Sequence, residues 1–119
     1  MKDNVIFSKS KAFAVRIVKL YQHLQMQHPK EKYVLPKQLL RSGTSIGANV
    51  REATQAQSKK DFISKMSIAL KEASEAEYWI EVFFETDYLN EKEFQSFMED
   101  CKELNKLLTS IVKTSKKNC

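Results

Sequence analysis

The sequence predicts an all-α protein folding as an antiparallel up-down-up-down four-helix bundle, and three observations carry that expectation. Apolar residues recur at helical spacing in four separate runs. Only two Gly and two Pro interrupt 119 residues, a composition poor in turns and suited to a few long elements. The breaks between the runs are short, which favours antiparallel neighbours. One domain spanning residues 1–119 is long enough to bury a single core without metal or disulfide support.

The first helix is expected at about 8–27. Phe13, Ile17, Leu20, Tyr21 and Leu24 fall at i, i+4, i+7, i+8 and i+11, and His28-Pro29 ends the run. A charged loop, Lys30-Glu31-Lys32, leads to a second helix at about 36–56, with Pro36 in the first turn, where its missing N–H costs nothing. Its stripe is Leu39, Gly43, Ile46, Val50 and Ala53. Gly43 and Gly47 stand one turn apart, each costing about 1 kcal/mol relative to Ala in a helix interior. They are expected where another backbone approaches closely.

The third helix, at about 59–86, opens with Ser58-Lys59-Lys60-Asp61, which has capping-box spacing with Asp in place of Glu. It continues as the longest periodic run: Phe62, Met66, Ala69, Ala73, Ala76, Ile80 and Phe83. The fourth, at about 91–114, has Asn90 as N-cap, Glu93 at the third helical position and Leu89 placed to staple onto Phe94. Its stripe is Phe94, Met98, Cys101, Leu104, Leu108 and Ile111, and the polar chain from Ser115 is expected to fray.

Several classes of function find no support. No stretch approaches the roughly 18 uninterrupted apolar residues of a membrane span. The start, Met1-Lys2-Asp3-Asn4, lacks a signal peptide's apolar run, so a cytoplasmic protein is expected. A bundle di-iron site needs inward Glu and Glu-x-x-His pairs. The only histidines, His23 and His28, have no Glu three residues before them and read as solvated or hydrogen-bonded. Glu72, Glu75, Glu77 and Glu81 are spread by 3.6-residue winding into a solvated acidic face. Cys101 and Cys119 read as a core thiol and a tail thiol. There is no P-loop, Gly-rich phosphate cradle or nucleophile elbow, so no catalysis, metal or cofactor is expected.

Two features point to binding instead. The net charge is only +5, but residues 1–71 carry +10, residues 72–103 carry −9 and the remainder +4. In an up-down bundle the start of the first helix, the end of the second, the start of the third and the end of the fourth share one pole. That pole collects Lys9, Lys11, Arg51, Lys59, Lys60 and Lys65, the expected phosphate contacts, together with Lys113, Lys116 and Lys117. Such a surface suits sequence-independent nucleic-acid binding. Meeting the acidic part of a second subunit is the other use of the same asymmetry. The second feature is a strip on the third helix, Ile68, Trp79 and Val82, turned roughly 100–160° from the main stripe. It is expected to serve as an oligomer interface or a protein-docking scaffold, the alternative being that Trp79 tucks sideways under a neighbouring helix.

The run Arg41-Ser-Gly-Thr-Ser-Ile-Gly-Ala-Asn-Val-Arg-Glu-Ala53, with Ser58-Lys-Lys-Asp-Phe-Ile-Ser-Lys65, Ile68-Ala-Leu-Lys-Glu-Ala73 and Glu77-Tyr-Trp79, closely resembles the 23S rRNA intervening-sequence proteins. The layout matches from about residue 7 to 113. The resemblance implies a four-helix bundle without known enzymatic activity, encoded in some bacteria within insertions in 23S rRNA genes and elsewhere as a separate gene. Relatives of that family, the accessory variability determinants of diversity-generating retroelements, resemble pentameric basic barrels that bind nucleic acid and a reverse transcriptase. By that resemblance a homo-oligomer, a pentamer, with RNA, DNA or such a protein as partner is the expectation. This chain departs from those relatives in its acidic second half and modest net charge.

Overall fold

Four long helices account for nearly all of the chain in the computed structural model, which describes residues 2–29 and 34–118. They are α1 (Lys2–Gln27), α2 (Val34–Thr54), α3 (Lys59–Glu85) and α4 (Glu91–Lys117). The expected charged loop at residues 30–32 and the tail thiol Cys119 lie outside the described residues. α1 packs on α2, α2 on α3 and α3 on α4, while α1 and α4 meet along a much thinner seam, giving an up-down-up-down bundle 49 Å long.

The apolar stripes form the core. Phe13 and Ile17 from α1, Leu39, Ile46 and Val50 from α2, Met66, Ile80 and Phe83 from α3, and Leu104 and Leu108 from α4 are essentially inaccessible to solvent. At mid-length α3 contributes only Ala69, Ala73 and Ala76, all fully buried. Small side chains there let α3 sit close to the flanking helices, since interaxial distance follows the residues at the contact. Ser10 and Ser42 are the buried polar side chains, and each hydroxyl donates to a carbonyl of its own helix, Phe7 O at 3.2 Å and Gln38 O at 3.0 Å.

The helix ends differ from expectation in four places, each with a local cause. α1 starts at Lys2 instead of about residue 8, because Ile6, seven residues before Phe13 on the same face, is fully buried and extends the stripe. α2 begins at Val34, so Pro36 is its third residue, and it stops at Thr54, where Gln55 and Ala56 N–H donate to Glu52 and Ala53 carbonyls in a tightened final turn. α4 remains helical to Lys117 instead of fraying from Ser115. Lys116 and Lys117 suit the negative end of the helix dipole, and Lys59 Nζ donates to Asn118 O at 3.1 Å.

Caps fix the starts of α3 and α4. Ser58 accepts the Asp61 N–H, and Asn90 and Glu93 form a complete capping box. In the turn between α3 and α4, Asp87 adopts φ 68°, the left-handed conformation that usually falls to glycine. Tyr88 N–H donates to Phe83 O at 2.8 Å and Asp87 N–H to Phe84 O at 3.3 Å, the paired bonds of a Schellman motif. Its accompanying apolar contact is the Phe83–Tyr88 ring pair, 5.0 Å between centroids.

Candidate nucleic-acid interface and the α3 face

The pole is assembled by cross-helix contacts. Arg51 near the end of α2 lies over the Phe7 ring of α1, 4.9 Å from its centroid. Lys65 of α3 pairs with Glu52 of α2 at 3.5 Å, and Lys59 of α3 reaches the end of α4 at Asn118. Lys9 of α1 pairs with Glu103 of α4 at 3.1 Å. These contacts divide the six expected phosphate contacts by availability. Lys9 and Lys65 have their charge opposed by a carboxylate, Arg51 is held over an aromatic face, and Lys59 is tied to a carbonyl. Lys11 and Lys60 are exposed and make no ion pair or hydrogen bond among the described residues. The same holds for Lys106, Lys113, Lys116 and Lys117 on α4, of which Lys106 was not among the sequence candidates.

The α3 strip is less uniform than its helical phase suggests. Ile68 is 40% exposed, but Trp79 and Val82 are half-buried, and Trp79 packs against the edge of the core. The Trp79 indole N–H donates to Glu75 Oε2 at 3.0 Å, and the same carboxylate accepts from the Arg41 guanidinium of α2, which also pairs with Glu72 at 3.0 Å. The Trp79 and Arg41 hydrogen bonds hold the Glu75 carboxyl below the usual carboxylate range. Tyr78, edge-on to Trp79 with centroids 5.0 Å apart, is 56% exposed and joins Ile68 as the apolar part of this face that meets solvent.

This network corrects the expectation of a solvated acidic face. Glu72 and Glu75 bind Arg41, and Glu77 accepts from Asn105 Nδ2 of α4 at 2.7 Å, so three of the four carboxylates bridge α3 to its flanking helices. Only Glu81 stands exposed. Cys101 donates its S–H to Ala73 O at 3.3 Å, and burial, reinforced by the charges of Glu77 and Asp100, pushes its thiol up to about 12. Among the described residues no group of three or more His, Cys, Asp or Glu side chains comes together in a way that would hold a metal, and His23 and His28 are exposed.

Behind the pole, α1 and α2 approach closely at the two glycines. A Cβ on Gly43 would lie 2.8 Å from Ile17 Cγ1, and one on Gly47 would lie 3.2 Å from the backbone oxygen of Ser10. No helix of the described residues is long and apolar enough to cross a membrane.

Fold and surface together define a small up-down four-helix-bundle protein with a cluster of exposed, unpaired lysines at one end. The chain belongs to the 23S rRNA-intervening sequence protein family, whose model matches residues 2–110. It is similar to the crystal structure of a protein of unknown function from the S23 ribosomal protein family of Bacteroides thetaiotaomicron. The two are 56% identical with a TM-score of 0.90, over 95% of this chain and 99% of that one. No curated protein matches the chain.

Proposed function

We propose that this protein is a cytoplasmic, non-enzymatic homo-oligomer that binds nucleic acid, RNA or DNA, through the basic pole. The observation that carries the reading is the set of exposed, unpaired cations at that pole: Lys11, Lys60, Lys113, Lys116 and Lys117. The acids Glu81, Glu85, Asp87, Glu91 and Glu93 sit around the α3–α4 turn at the opposite end. Lysines at phosphates release condensed counterions, which gives affinity without sequence preference and makes it fall steeply with salt. Among the described residues no exposed aromatic side chain stands among these lysines, Phe7 being covered by Arg51 and Phe62 packed against the core, so the surface suits a phosphodiester backbone. The test is a salt titration of binding to single- and double-stranded RNA and DNA. Affinity falling linearly on a log-log plot is expected, and no detectable binding at low salt sinks the proposal.

A second reading, a protein-interaction scaffold that assembles through α3 without nucleic acid, is favoured by the exposed pair Ile68 and Tyr78. Mass measurement in solution tests it. A homo-oligomer, a pentamer on the family resemblance, that dissociates in Ile68→Asp supports the reading. A monomer at micromolar concentration, unchanged in Trp79→Ala and Ile68→Asp, removes it.

A further inference from the structure

We infer that the nucleic-acid backbone runs along the outer ridge of α4, on Lys106, Lys113 and Lys117, and that Lys9 of α1 and Lys65 of α3, whose charges are already paired, are secondary. The inference rests on the proposed phosphate-binding role of the pole and says which face performs it.

Residues 106, 113 and 117 stand at i, i+7 and i+11, which 3.6-residue winding places on one side of the helix, opposite the buried stripe of Leu104, Leu108 and Ile111. With a rise of about 1.5 Å per residue the three ammonium groups span about 16 Å of helix. Thr109, Ser110 and Thr114 stand between them on the same open face of α4. The Thr109 hydroxyl is used by its own helix, donating to Asn105 O at 2.7 Å, while Ser110 is exposed with its hydroxyl unbonded among the described residues. The ridge therefore offers three charges and two neutral donors, the hydroxyls of Ser110 and Thr114.

What singles out this ridge is the lack of acids. No Asp or Glu follows Glu103 in the sequence, and Glu103 itself, one turn before Lys106, is paired with Lys9. A phosphate approaching Lys106, Lys113 or Lys117 displaces only water and counterions. At Lys9 or Lys65 it must first compete with Glu103 or Glu52, and the carboxylate it displaces then repels it. Lys59, whose Nζ sits on Asn118 O, stands beside the C-terminal end of the ridge and extends the basic surface onto α3.

The ligand chemistry is the phosphodiester backbone, which a duplex and a single strand both supply. Binding of the full-length protein to a labelled RNA duplex of about 20 base pairs, and to one of its strands alone, is measured from about 50 to about 200 mM salt. If three phosphate contacts lie on the ridge, Lys106→Gln/Lys113→Gln/Lys117→Gln flattens the slope of log K against log salt by about 2.7 for a duplex and about 2.1 for a single strand. For the duplex that is about a 40-fold difference in how much affinity falls across this salt range. Lys9→Gln/Lys65→Gln flattens it by about 1 at most, and the Lys→Arg triple keeps the wild-type slope. The Gln variants retain good helix formers at exposed positions, and unchanged circular dichroism certifies the fold. A ridge variant with the wild-type slope, or a Lys9/Lys65 variant that loses as much as the ridge variant, overturns the inference while leaving nucleic-acid binding intact. Wild-type protein that binds neither probe overturns the pole itself.

Discussion

Gly43→Ala is the sharpest probe of how α1 and α2 fit together. The added Cβ would lie 2.8 Å from Ile17 Cγ1, 3.1 Å from Cγ2 and 3.3 Å from Cβ. Ile17 is 1% exposed and β-branched, so these atoms are at the stiff base of the side chain and have little room to swing aside. Removing the glycine from a helix interior gains about 1 kcal/mol. Overpacking a tight core costs about 1–3 kcal/mol. The net expectation is destabilisation by about 1 kcal/mol, or a melting temperature lower by about 4 °C. Ile17→Ala alone costs about 2–5 kcal/mol. In that background Gly43→Ala meets no Cγ atoms and should stabilise by about 1 kcal/mol, so the sign of the effect reverses. Urea unfolding followed by circular dichroism, at one fixed protein concentration to hold any self-association constant, reads all four corners of the cycle. A Gly43→Ala protein more stable than wild type, or equal effects in the two backgrounds, refutes the close-approach argument.

The other expectations concern caps and titrating groups. Asn90→Ala removes one half of the α4 capping box and should lower stability by about 1 kcal/mol in the same unfolding assay. At Asp87, whose φ is 68°, Gly should be more stable than Ala by about 1 kcal/mol, the reverse of their order inside a helix. Glu75 titrates below its ordinary range because Trp79 and Arg41 bind the carboxylate, so its contribution is present above the unfolded carboxyl's pKa of about 4 and lost as pH falls through the lower folded value. The stability advantage of wild type over Glu75→Gln should shrink below about pH 4, and a constant difference across the acid range excludes this role. Cys101, with its thiol pushed up to about 12, should react in a Cys119→Ser protein only at the rate of unfolding. Immediate stoichiometric labelling in native buffer would show it is accessible.

The fold was legible because its signals are local. Helical period placed Phe13, Ile17, Ile46, Ala73, Ile80 and Leu108 in the core, and Asn90 to Glu93 marked a helix start from four residues. Ile6 escaped notice because Ser8, Lys9 and Ser10 interrupt the hydrophobic run, and only packing shows Ser10 buried with its hydroxyl satisfied within the helix. The turn at Asp87 was hidden because Asp occupies a position where Gly is the usual marker. Trp79 shows the limit of helical phase. Its angle from the main stripe was readable, but its half-buried position is set by Glu75 and by Arg41 from another helix, 34 residues away from Glu75 in the chain.

Which cations remain available at the pole is likewise a tertiary property, decided by register. The antiparallel fit of α1 on α4 places Lys9 beside Glu103 and Arg16 beside Asp100, with the Arg16 guanidinium also over the Phe97 ring at 4.0 Å. These contacts cross the thinnest seam of the bundle, where apolar packing contributes least. Arg41 similarly takes Glu72 and Glu75 between α2 and α3. The acidic second half of the chain thus neutralises the cations that lie opposite it across helix seams. Past Glu103 the register brings α4 lysines to positions that none of the described ion pairs reach. Free positive charge accumulates at the C-terminal part of α4 because no acid follows Glu103 in the sequence and the ion pairs across the seams reach none of these lysines, so a modest net charge still leaves a locally strong field for a phosphate backbone to meet.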